Sequence, residues 1–163
     1  MKNTQLQKSF KILLIGDSCE DVYVYGEVLR RCFEERPKNE GTPVLKVSSS
    51  LKKPGMSKNV YESLLCLKQE VDFFTNSEII QKVRVFENNK NIVRIDYNDK
   101  VNPISEEDYK RIDLKKYDCV VFSDYNKGFV SDQVIKYVVK NYNGLIFVDS
   151  KKENISCFKS CII

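Results

Sequence analysis

Three apolar runs in this chain end on an aspartate: "LLIGD" at Asp17, "VVFSD" at Asp124 and "LIFVD" at Asp149, with Lys127 and Lys151 just beyond the last two. Short apolar runs stopped by Gly, Ser or Asp read as buried strands that feed turns. If the strands run parallel, their carboxyl ends share one edge, the edge where open α/β sheets bind ligands. Carboxylates at such an edge accept hydrogen bonds from vicinal hydroxyls, and ammonium groups hold phosphate, both as charge-assisted bonds. Asp17, Asp124, Asp149, Lys127 and Lys151 therefore suit recognition of a polyol or a phosphorylated sugar. The plainer reading of each is local: an Asp after a strand caps a helix or closes an Asx turn, and Lys127 before Gly128 serves as a turn lysine.

Composition removes several other chemistries. The 163 residues contain no histidine, which excludes Ser-His-Asp and Cys-His nucleophile systems, and no Walker-type phosphate loop. The six cysteines form no Cys-x-x-Cys pair and read as small hydrophobes in a reducing cytosol, so a cytoplasmic protein without zinc or disulfides is expected. The net charge is +4, with basic and acidic residues interspersed, so no nucleic-acid partner is expected. The opening "MKNTQLQKSF" has no apolar signal core and no run reaches spanning length, so no membrane partner is expected.

The elements that must position these residues follow from periodicity. "KILLIGDS" predicts a central strand, and "DVYVYGEVLRR" (Asp21 to Arg31) a half-wet strand that "TPVLKVSSSL" (Thr42 to Leu51) can pair with. Between them "CFEERPKNEG" predicts a loop. "SKNVYESLLCLKQE" places Val60, Leu64, Leu67 and Val71 on one helical stripe with Ser57 able to cap it, and "VDFFT" reads as a strand. "KVRVFENNKNIVRIDYND" predicts a hairpin with one Arg per arm. "SEEDYKRIDLKKY" predicts a polar helix opened by Ser105 and Asp108. "YDCVVFSDY", "SDQVIKYVVKNY" and "GLIFVDSKK" predict a strand, a helix with Val134, Ile135, Val138 and Val139 inward, and a parallel strand reached by a right-handed crossover.

These segments resemble, in order, the motifs of PfkB (ribokinase-like) carbohydrate kinases, most closely the branch that phosphorylates D-glycero-D-manno-heptose 7-phosphate. The strand ending in Gly-Asp, then Asp and Tyr-x-x-Gly, corresponds to Gly16, Asp17, Asp21, Tyr23 and Gly26. "KKPGMSKNV" is similar to the Pro-Gly-Gly-Ala-Ala-Asn-Val segment through Pro54, Gly55, Asn59 and Val60, with Met56, Ser57 and Lys58 in place of the second Gly and both Ala. The hairpin matches through Arg84, Arg94 and Asp96, "SDYNKG" matches Ser-Asp-Tyr-x-Lys-Gly, and "VDSKK" matches Val-Asp-Pro-Lys with Ser150 for Pro.

The resemblance implies an α/β, ribokinase-like (Rossmann-like) fold: a mostly parallel sheet with helices on both faces, plus a small β-sheet lid. Residues 1–163 would form a single truncated domain, with lid segments at about 21–51 and 82–98 and the C-terminal part of the fold absent. Asp21, Asn59 and the backbone at Gly55 would hold sugar hydroxyls, supported by Asp17, while Arg84, Arg94, Lys127 and Lys151 would meet phosphate. ATP and Mg2+ would be the cofactors of the complete enzyme, and the lid a homodimer contact. On residues alone, Arg84 and Arg94 suit a solvated hairpin face better than a phosphate site, and Tyr23 and Tyr25 suit sheet packing or a dimer face better than a sugar-stacking platform. A few dozen residues usual before the hairpin are reduced to "SEIIQ", and the Gly-Ala-Gly-Asp segment that supplies the base and phosphate site is missing. The chain alone is therefore expected to be inactive. A non-catalytic sugar-phosphate-binding or dimerisation module is the alternative. A plain Rossmann nucleotide-binding domain is disfavoured because no G-x-G-x-x-G follows "KILLIGD".

Overall fold

A computed structural model describes residues 9–33 and 41–163, so the opening ten-residue reading and the loop reading over 34–40 fall largely outside the described residues. The chain divides into two units: one of residues 1–19, 54–79 and 100–163, the other of residues 20–53 and 80–99.

The first unit is built on four strands, β1 (Lys11–Gly16), β4 (Glu70–Phe74), β7 (Cys119–Asp124) and β8 (Leu145–Ser150), in the order β4-β1-β7-β8. All three pairings are parallel, with Gly16 in register with Ser123 and Ser123 with Asp149. Parallel strands covered on both faces need continuous apolar runs, and Leu13, Ile15, Val120 and Phe122 are fully buried. Helix α3 (Asp132–Asn141) connects β7 to β8 and buries Val134, Ile135 and Val138 in the same core, while Val139 is only partly buried. Each such side chain contributes about 1.5–3 kcal/mol relative to exposure. Ser131 caps α3 by accepting the Val134 N–H. Helix α2 (Glu106–Arg111) is opened by Ser105, which accepts the Asp108 N–H while its hydroxyl donates to the Asp108 carboxylate.

Helix α1 (Ser57–Cys66) departs from its sequence reading. Ser57 is its first residue rather than its cap, because the Ser57 hydroxyl and N–H both donate to the Asp17 carbonyl, at 2.6 and 3.0 Å. The cap position falls to Met56, which contributes no capping side chain. Along the expected apolar stripe Val60 and Leu64 are half-buried and Leu67 is exposed, while Val71 is half-buried in β4 rather than on the helix.

The second unit holds β2 (Ser18–Cys32), β3 (Thr42–Met56), β5 (Gln81–Glu87) and β6 (Lys90–Tyr97), ordered β3-β2-β5-β6. The first and last residues of β2 and β3 nearest the break points count with the first unit. Strand β2 starts earlier than its alternation indicates, since only Asp17 separates it from β1. Strands β2 and β5 are parallel and β5 and β6 antiparallel. Asn88 and Asn89 join the hairpin with φ of 48° and 63°, the left-handed pair that a two-residue turn between twisted strands requires. Gly26 lets β2 and β3 approach: a Cβ there would lie 2.4 Å from the Lys46 carbonyl oxygen. Among the described residues no helix is long and apolar enough to cross a membrane.

Candidate functional site

In the first unit the polar strand ends organise one loop. Asp17, fully buried after β1, accepts N–H groups from Tyr125 (2.8 Å), Lys127 (3.2 Å) and Phe129 (3.0 Å). Burial pushes its carboxyl up, the donors at Lys127 and Phe129 pull it back, and the nearby Asp124 charge adds to the rise. Asp124, also buried, accepts the Asn126 N–H at 2.8 Å and the Ser150 hydroxyl at 2.9 Å, with the Lys152 ammonium 3.7 Å away. The loop between them needs unusual backbone: Asn126 has φ 57°, and Gly128 has φ 120°, where a Cβ would lie 2.4 Å from the Val101 carbonyl oxygen. The two carboxylates thus shape the 125–129 loop from beneath.

The other residues expected in this unit are placed differently from one another. Asp149 is exposed at the end of β8, and Lys127 is half-buried with its carbonyl accepting the Val101 N–H. The Lys151 ammonium lies 4.7 Å from the Tyr125 ring centroid, a cation–π distance. It is Lys152, not singled out in the sequence, that bridges Asp124 and Asp132. The "KK" doublet carries no signal for which lysine turns inward.

Gly55 is buried and Asn59 exposed at the start of α1. That helix end has no capping side chain and no acid in its first turn, and the Asp17 carbonyl takes its first N–H. Gly16 permits the close packing there, since a Cβ would lie 2.7 Å from the Ser57 Cβ. Ser123, in register with Gly16, has a buried hydroxyl with no hydrogen-bond partner. Met56 sits at φ 54°, ψ −136°, where the family resemblance has glycine, a conformation that costs a side-chain-bearing residue about 1–3 kcal/mol.

In the second unit the register places Asp21 opposite Lys82, Tyr23 opposite Arg84, Arg84 opposite Arg94 and Lys82 opposite Asp96. Paired residues project to one side of a sheet, so one face carries three cations and two carboxylates. Arg84 donates to Asp21 at 2.6 Å, and Arg94 grips Asp96 through two bonds of 2.8 Å. The Lys53 ammonium and the Arg84 guanidinium each lie 5.5 Å from the Tyr23 ring centroid. The bonds to Asp96, with the Asp21 charge behind them, raise the Arg94 pKa further. Asp21, Arg84 and Arg94 are therefore brought together, and Asp96 and Lys53 join them. The alternation of the hairpin arms was the available signal for Asp96.

No family model matches the chain. It is 27% identical to the bifunctional protein HldE of Wolinella succinogenes over 91% of its length, and 29% identical to that of Helicobacter pylori strain P12 over 90%. The solved structure of Escherichia coli phosphofructokinase-2 in complex with fructose-6-phosphate superposes with a TM-score of 0.55 at 11% identity, covering 93% of this chain and 58% of that one. A putative phosphofructokinase from Staphylococcus aureus gives 0.52 at 10% identity, covering 87% and 54%. The fold is ribokinase-like, and the sequence relatives are HldE proteins. The chain spans 38–39% of the length of those HldE relatives. The sequence resemblance to PfkB carbohydrate kinases and the superposition thus agree on a parallel α/β sheet accompanied by a second sheet, here also of four strands.

Proposed function

We propose that the chain is the sugar-phosphate-binding portion of an ATP-dependent carbohydrate kinase that acts on D-glycero-D-manno-heptose 7-phosphate or a similar phosphosugar in the cytoplasm. The observation that carries this reading is the pair of opposed arginines on the second sheet, beside a carboxylate suited to hydroxyls. The similarity to HldE over about nine-tenths of the chain supports it. In this reading Arg84 and Arg94 hold phosphate and Asp21 accepts sugar hydroxyls. In the first unit, Asn59 and the backbone at Gly55 offer polar groups at the start of α1. Lys127, Lys151 and Asp149 provide charge around the loop that Asp17 and Asp124 hold in shape.

ATP and Mg2+ belong to the complete family enzyme. Among the described residues no three His, Cys, Asp or Glu side chains gather as a metal cage, and the sequence has no Gly-Ala-Gly-Asp segment. No step of phosphoryl transfer is assigned to the described residues. The purified 163-residue polypeptide should bind heptose 7-phosphate in calorimetry more tightly than unphosphorylated heptose and should not turn over ATP with either. Equal affinity for the two sugars would remove the phosphate role, and ATP turnover would place a base within these residues.

The second reading, a dimerisation module, is favoured by Val93, Ile95 and Tyr97, which are 39–50% exposed on the sheet face opposite Arg84 and Arg94. A homodimer through that face is compatible with either reading.

A further inference from the structure

Arg84 and Arg94 stand directly opposite each other on neighbouring strands, an arrangement of like charges that is destabilising unless something intervenes. What intervenes is one carboxylate for each: Asp21 on Arg84 and Asp96 on Arg94. Neither pair is sealed from solvent, with side-chain exposures of 24% and 20% for the first and 48% and 34% for the second. The Arg94–Asp96 pair is exposed enough to be worth little net free energy, so a stronger anion can displace its carboxylate, whereas the Arg84–Asp21 pair is part-buried and gives way only to an anion that replaces its charge. The Asp96 pairing is a planar two-point grip on the Arg94 guanidinium, the same geometry in which guanidinium takes a phosphate.

We infer that Asp21 and Asp96 are exchangeable counter-ions that occupy the phosphate seat when no ligand is bound. A phosphomonoester dianion takes both guanidinium groups, and the Lys53 ammonium beside Tyr23 adds to the positive field that draws it in. Losing Arg84 frees the Asp21 carboxylate, which then accepts hydroxyls of the same molecule. The inference rests on the sugar-phosphate reading above and deepens it: phosphate and hydroxyls bind cooperatively, and an unphosphorylated sugar meets an Asp21 still held by Arg84. Asp96 becomes a specificity-determining residue that competes with ligand and does not bind it.

The test is an NMR titration of the arginine Nε–H resonances with inorganic phosphate, in the wild type and in Asp96→Asn, followed by the same titration with heptose 7-phosphate and with heptose. Asp96 is at the solvent edge of its strand, and Asp96→Ser serves as a second variant that removes the charge without an amide donor. The exchange predicts that both variants bind inorganic phosphate roughly two- to five-fold more tightly than the wild type. It also predicts that the preference for heptose 7-phosphate over heptose rises in both variants by the same factor as their affinity for inorganic phosphate. Unchanged or weaker phosphate binding in both variants overturns it, as does an absence of phosphate-dependent shifts at Arg84 and Arg94. Tighter phosphate binding without any preference for the phosphosugar would keep the exchange and sink the sugar reading. A phosphosugar preference indifferent to Asp96 would do the reverse.

Discussion

Asp17 has both carboxylate oxygens committed to the 125–129 loop and none of its surface in water. Burial dominates its titration and raises the carboxyl above its ordinary value. A native carboxyl of this kind keeps its proton longer than the unfolded chain does, so its contribution to stability is fully present below the ordinary range and is lost as pH rises through the raised native value. Urea denaturation of Asp17→Asn and wild type across that window should show the wild-type advantage shrinking with rising pH. At neutral pH the variant should still be about 1–3 kcal/mol less stable, because an amide nitrogen faces a backbone donor. An advantage that widens with pH would mean that the three N–H donors outweigh burial. Residue types at the strand ends were legible because strands must stop somewhere polar. Their orientation was not: that Asp17 turns under a loop 108 to 112 positions away depends on β1 lying beside β7.

In the secondary-structure elements, features set by sequence neighbours were legible and those set by distant residues were not. The hairpin was legible because its turn is a property of two adjacent asparagines. Asn88→Val should cost about 1–2 kcal/mol, since a β-branched side chain resists φ of 48°, whereas Asn89→Gly should be neutral or stabilising. Thermal denaturation of the two variants checks this, and a valine variant as stable as wild type would show that the turn has another shape. The capping of α2 by Ser105 was likewise set by a neighbour three residues on. The capping of α1 was misread because Ser57 binds a carbonyl 40 positions earlier. The early start of β2 has a similar cause, since nothing in its alternation shows that one residue can turn the chain between two sheets.

At the scale of the molecule, the motif order carried the fold, and the described residues supply two sheets whose polar and apolar faces can be tested separately. If the apolar face of β5 and β6 is a homodimer contact, Ile95→Lys should shift the polypeptide from dimer to monomer in light scattering without altering phosphosugar affinity. A mass unchanged by the substitution would place any self-association elsewhere. The opposite face holds the central claim, that opposed arginines recognise the phosphate of a phosphosugar. Calorimetry of heptose 7-phosphate and heptose with wild type and Arg94→Ala tests it most directly. Phosphosugar affinity should fall roughly tenfold or more in Arg94→Ala while affinity for the parent sugar stays the same; equal phosphosugar affinity in the two proteins would mean that Arg94 does not hold the phosphate.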